Sequence, residues 1–143
     1  MPYRYLEDIA TADVAFEAWG NTVETMFAAA ADATMNVMVT DLETITAVER
    51  RTLEVAAEEI DMLLFGLLQE LIFYKDAEQL LLRVAGVQIT DRDGERRLTA
   101  DAYGETLNPE KHDLAVDIKA VTLHRFKVEQ TSRGWEALVI LDI

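Results

Sequence analysis

The feature that most constrains this chain is one apolar stripe. Ile60, Leu63, Leu64, Leu67, Leu68, Leu71 and Ile72 recur at i, i+3, i+4, i+7, i+8, i+11 and i+12, the spacing of one helical face. Met62, Phe65 and Phe73 widen that stripe, so the helix must be covered over most of its circumference, and a sheet is the surface that covers it. Glu58, Glu59 and Asp61 suit its positive N-terminal end. A second helix is expected over residues 22–38. There Asn21 and Glu24 have capping-box spacing, and Val23, Met26, Phe27, Ala30, Val37 and Met38 follow at helical intervals.

Elsewhere the period drops to two. Residues 13–19 alternate through Val14, Phe16 and Ala18 and read as a strand ending at Gly20, and a further strand is expected over 44–55. Residues 80–91 and 95–103 flank Asp93-Gly94, a dipeptide that accepts the positive φ angles of a tight hairpin. Asn108-Pro109 breaks the pattern and marks a surface loop through His112. A last hairpin, 117–130 with 135–143, turns at Thr131-Ser132-Arg133-Gly134. Strands joined by short turns predict an α+β fold, a mixed or antiparallel β-sheet carrying two α-helices. At 143 residues with no linker or repeat, residues 1–143 form one domain.

Composition excludes several functions. There are 13 Lys and Arg against 27 Asp and Glu, a formal charge of −14, which repels phosphate backbones and argues against direct nucleic-acid binding. Only four of the basic residues are lysine, and an acid-rich, lysine-poor surface suits a salt-rich medium. Without cysteine, thiolate zinc sites, iron–sulfur clusters and cysteine nucleophiles are excluded. The amino terminus lacks the apolar run of a secretory signal, and the stretch 60–74 is too short and polar to span a bilayer, so a cytoplasmic protein with no membrane association is expected. Phosphate-loop, dinucleotide, serine-hydrolase and zincin motifs are all absent. Two histidines cannot build a multi-histidine site; His112 reads as a solvated loop residue and His124 as a partly buried strand residue.

The candidates that remain are charged residues at strand ends. Asp13 opens a strand and Asp142 closes one, and alternation puts Asp142 on the face of Leu138 and Ile140, where a carboxylate needs a cation or a metal ion. Lys119 shares that face if the last hairpin keeps a regular ladder. A structural ion pair or solvated strand ends would account for the same pattern. Two carboxylates together with a chain-terminal one, at Ile143, suit a hard, oxygen-liganded ion. Glu7 and Asp8 add nearby acidity, with Glu7 read as solvating, and Trp19 and Trp135 read as packing anchors.

Thr11-Ala12-Asp13-Val14, continuing to Gly20 and a capped helix, resembles the opening motif of the archease family. Ile118 to His124, then Lys127-Val128-Glu129, and finally Gly134-Trp135-Glu136-Ala137 running to Leu141-Asp142-Ile143, resemble its C-terminal signature. The likeness spans essentially the whole chain. It departs at Ala10, where a His commonly precedes the Thr-Ala-Asp element, and at Leu123, where an aromatic residue is common. The resemblance implies an archease-like α+β domain that is a protein cofactor and not an enzyme. Its partner would be the RtcB-type RNA ligase of tRNA splicing, whose GTP-dependent guanylylation and multiple turnover it promotes. It implies a metal-binding acidic cluster at Asp13 and Asp142 and a functional Lys119; binding by the Ile143 carboxylate extends this by proximity. The divalent ion expected is calcium, with magnesium or manganese as alternatives, and GTP belongs to the ligase. The competing expectation is a general chaperone-like or scaffolding module whose acidic cluster is purely structural.

Overall fold

The computed structural model describes residues 2–7 and 13–143. Its elements in chain order are β1 (Tyr3–Leu6), β2 (Val14–Gly20), α1 (Val23–Met38), β3 (Glu49–Ala57), α2 (Ile60–Glu78), β4 (Leu80–Arg92), β5 (Glu95–Thr106), β6 (Ala120–Thr131) and β7 (Gly134–Asp142), with a short 3-10 turn at Leu42–Thr44. The strands form two antiparallel sheets, ordered β1-β2-β7-β6 and β3-β5-β4. The single sheet expected from the strand count is therefore two. Among the described residues the strand backbones of one sheet stay apart from those of the other, whereas each helix packs on both.

That arrangement explains the composition of the helices. α2 lies between β6 on one side and β3, β4 and β5 on the other, so an amphipathic stripe of ordinary width would leave apolar surface of one sheet uncovered. Leu63, Leu64, Leu67, Leu68 and Leu71 are fully buried, each stabilising the fold by about 1.5–3 kcal/mol relative to exposure. Phe73 does not join them; it is 57% exposed. α1 touches β2 and β4 closely, and its alanines at 29, 30, 31 and 33 are buried, which keeps the layers close. Its cap is Thr22, whose hydroxyl accepts the Thr25 N–H while the Thr25 hydroxyl accepts the Thr22 N–H, displacing the expected Asn21–Glu24 box by one residue.

Both hairpins form where turn chemistry predicts them. Asp93 and Gly94 have φ of 54° and 79°, the type I′ pattern whose twist matches the strands. The last hairpin turns at Ser132–Arg133. Gly134 follows with φ 100°, and a Cβ there would lie 2.4 Å from the Gly20 carbonyl oxygen, so no other residue fits. The strand expected at 44–55 begins later, at Glu49, because Asp41 accepts the Glu43 N–H and starts the 3-10 turn. No helix among the described residues is long and apolar enough to cross a membrane.

Candidate functional site

β2 and β7 run antiparallel with Val14 opposite Leu141 and Phe16 opposite Val139. Continuing that register by one residue sets Asp13 opposite Asp142. The sheet's helix-facing side carries Phe16, Ala18, Ala137, Val139 and Leu141, all buried. By alternation Asp13 and Asp142 belong to the other side, with Ala15, Glu17, Leu138 and Ile140. Both aspartates are half-buried. Directly opposed carboxylates repel at a cross-strand separation of about 5 Å between Cβ atoms, so the pair has an electrostatic reason to hold a cation. Ile143 is half-buried against the core at the same end.

Lys119 reaches this end by a different route. A regular ladder would put it on the face of Asp142, but β6 bulges. Four residues, 123–126, stand opposite the single Val139, between the pairs Thr122–Ile140 and Lys127–Leu138. The bulge shifts the register so that Ala120 faces Asp142. Lys119 meets Asp142 through the main chain, donating its N–H to the Asp142 carbonyl at 2.8 Å. Its exposed side chain lines a cleft of about 390 Å³ between α2 and the start of β6, together with Gln69, Ile72, Phe73 and Asp76. Arg125, in the bulge, has φ 56°, the left-handed backbone such a turn-out requires.

Both histidine expectations are overturned. His112 is 1% exposed, not solvated. Its Nδ1 accepts the Asn108 N–H at 2.9 Å, which leaves Nε2 to donate to the Glu105 carboxylate at 3.0 Å. The same carboxylate accepts from Lys111 Nζ at 2.5 Å and from the Thr46 N–H at 2.8 Å. Lys111, then the Thr46 N–H and His112, hold the Glu105 carboxyl down at about 2 against the opposing effect of burial. His124 is exposed, because it falls in the bulge and not in a regular ladder.

One further feature, Lys75, has no counterpart among the sequence expectations. Lys75 is 7% exposed, bonded to Asp117, to Asp76 at 2.5 Å and to the Ile118 carbonyl at 3.3 Å. Burial works against its charge, but the Asp117 and Asp76 carboxylates outweigh this and raise its pKa. A signal for it exists in the sequence, since position 75 continues the 60–72 stripe. Trp19 receives the Arg133 guanidinium over its ring at 4.5 Å, a packing role. The adjacent arginines Arg50-Arg51 and Arg96-Arg97 are neutralised locally, Arg50 by Asp101, Arg51 by Glu78, Arg96 by Asp91 and Arg97 by Glu95.

Whether the site suits the ion that the resemblance implies depends on donor chemistry. Two facing carboxylates are hard oxygen donors, which fits calcium, magnesium or manganese and not a thiophilic metal. Among the described residues no group of three or more His, Asp or Glu side chains is placed to hold a metal. Asp8, the Thr11-Ala12 motif and Ala10 lie outside the described residues.

The family model described as the Archease protein family (MTH1598/TM1083) matches residues 3–143. The chain belongs to the archease family. Curated relatives called Protein archease include that of Pyrococcus abyssi, 37% identical over 134 residues and covering 93% of this chain and 94% of the relative. That of Methanosarcina mazei is 36% identical over 142 residues, covering 99% and 95%. The solution structure of Methanobacterium thermoautotrophicum protein 1598 superposes with a TM-score of 0.86 at 33% identity, over 99% of both chains. A Thermotoga maritima crystal structure described as an archease, possible chaperone, has a TM-score of 0.58 at 21% identity over 94% of this chain and 93% of that one, and shares the fold. The archease α+β architecture with two helices, expected from the C-terminal and Asp13 motifs, is the one observed.

Proposed function

We propose that this archease-family chain activates an RtcB-type RNA ligase of tRNA splicing, promoting guanylylation of the ligase by GTP and multiple turnover, and is not itself an enzyme. The observation that supports this most is the register of β2 against β7, which opposes Asp13 and Asp142 at one end of a sheet, beside the Lys119 main chain. Asp13 and Asp142 hold a divalent ion, calcium first and magnesium or manganese as alternatives, with the Ile143 carboxylate as a third donor. When bound, such an ion neutralises phosphate charge. Lys119, on the cleft against α2, contacts an acid or phosphate of the partner. The net charge of −14 steers the domain to a basic protein surface and away from RNA itself. A cytoplasmic site of action follows from that partner.

The test is RNA ligation by the cognate ligase with RNA in excess and this protein at a small molar fraction. Turnover beyond one per ligase is expected, with loss in Asp13→Asn and Asp142→Asn variants that remain folded. Unchanged turnover in those variants would sink the role of the carboxylates. A chaperone-like reading has one observation in its favour, the exposure of Phe73 and Leu123, 57% and 58%; suppression of aggregation of unrelated unfolded clients would favour it.

A further inference from the structure

Residues 107–119, joining β5 to β6, form a strap without regular structure that is nonetheless bonded along its length. The His112 cage ties its start to Glu105 and Asn108. Its middle crosses the end of α1: Thr40 N–H donates to the Asp113 carbonyl, Ala115 N–H to the Met38 carbonyl and Val116 N–H to the Val37 carbonyl, at 2.9, 2.9 and 3.3 Å. Those last two bonds satisfy carbonyls that a helix C-terminus leaves without partners. At Asp117 and Ile118 the tether changes in kind. There the Lys75 ammonium grips the Asp117 carboxylate and the Ile118 carbonyl, and the next residue is Lys119, whose N–H closes onto Asp142.

We infer that Lys75 is a positioning residue, which fixes the end of the strap and thereby sets Lys119 against Asp142. Stability alone does not account for it. An ammonium buried at the edge of a leucine-rich face loses hydration, and apolar replacements of buried ion pairs commonly leave stability unchanged or improve it. What an apolar side chain lacks at this position is a directed grip on a neighbouring segment. Asp117, by contrast, has a side chain 74% exposed, so its order depends on Lys75. A purely helical role, a cation favoured in the last turn of α2, would be indifferent to Asp117, and this separates the two explanations.

The functional consequence rests on the proposed role of Lys119, but the placement itself is read without any ligase. Amide hydrogen exchange is followed by NMR in wild type, Lys75→Met, Asp117→Asn and the double variant. Asp117→Asn keeps the test open should the core substitution fail to fold. Exchange at the Lys119 N–H is expected to accelerate about tenfold in each single variant and no further in the double, while α2 amides and Tm stay near wild type. Unchanged Lys119 exchange, or acceleration only together with the whole core, overturns the inference. In the ligation assay the same variants are expected to lose activation several-fold. Loosened Lys119 with full activation would instead refute the role given to Lys119 and leave the positioning intact.

Discussion

Replacing Asp142 by asparagine changes one charge and almost no volume, so its effect on stability isolates the opposed carboxylates. The β2–β7 register, continued one residue beyond the Val14–Leu141 pair, sets Asp13 and Asp142 opposite each other, at about the 5 Å Cβ separation of a cross-strand pair. For half-exposed groups at that distance, repulsion amounts to about 1 kcal/mol. A 143-residue domain has an unfolding entropy of about 0.3 kcal/mol per degree. Without metal, Asp142→Asn should therefore raise Tm by about 3 °C. Under the proposed metal role, calcium at about a hundred times its Kd should stabilise the wild type by about 2.7 kcal/mol, or about 9 °C. If the variant's affinity falls about a hundredfold, the same concentration adds only about 1 °C to it. The order of stabilities thus inverts: the variant melts above wild type in chelator and below it in calcium. Scanning calorimetry or thermal circular dichroism with and without calcium measures both. A variant destabilised in chelator, or one with an undiminished calcium shift, refutes the reasoning.

Other consequences are simpler. Leu67 is fully buried between the sheets, so Leu67→Ala should cost about 2–5 kcal/mol by denaturant titration. Gly134→Ala forces a side chain into φ 100° and onto the Gly20 carbonyl, and should lower Tm by several degrees, about 1–3 kcal/mol of strain. Glu105 titrates at about 2 when folded, below its ordinary 4.5, so its ionised form stabilises the fold above that ordinary value and the contribution fades as pH falls toward 2. The stability gap between wild type and Glu105→Gln should be full at neutral pH and close on acidification; a gap independent of pH would contradict the network around His112.

Elements with strong local signals are legible in the amino-acid sequence alone. The leucine stripe defines α2, Asp93-Gly94 and the Thr131 to Gly134 cluster define two hairpins, and Val14 to Gly20 defines β2. β1 is not legible in this way, because Tyr3–Leu6 is a four-residue edge strand whose reason for pairing is the neighbouring β2. The division into two sheets is hidden as well, since alternation records which face of a strand is apolar and not which strand lies beside it. Asp13 and Asp142 stand out because a carboxylate ending an apolar strand is unusual. Parity misplaces Lys119 because the bulge at 123–126 shifts the register; Leu123-His124-Arg125-Phe126, apolar at both ends and polar between, breaks the alternation there, but a break in pattern does not say how many residues stand out of the ladder. His112 misleads for a related reason: its loop is polar in composition, but Asn108, Lys111 and Glu105 are the polar groups that let it be buried. Lys75 is visible as a cation on an apolar stripe, whereas its partner Asp117, 42 residues on, carries no such mark.

The Asp13–Asp142 sheet end is proposed to promote transfer of GMP from GTP to the ligase. The direct measurement is the rate of covalent labelling of the cognate ligase by radiolabelled GTP, with metal present, alone and with wild-type or Asp142→Asn protein. Faster labelling is expected with wild type and little gain with the folded variant. Equal labelling with both, or no acceleration by wild type, would contradict it.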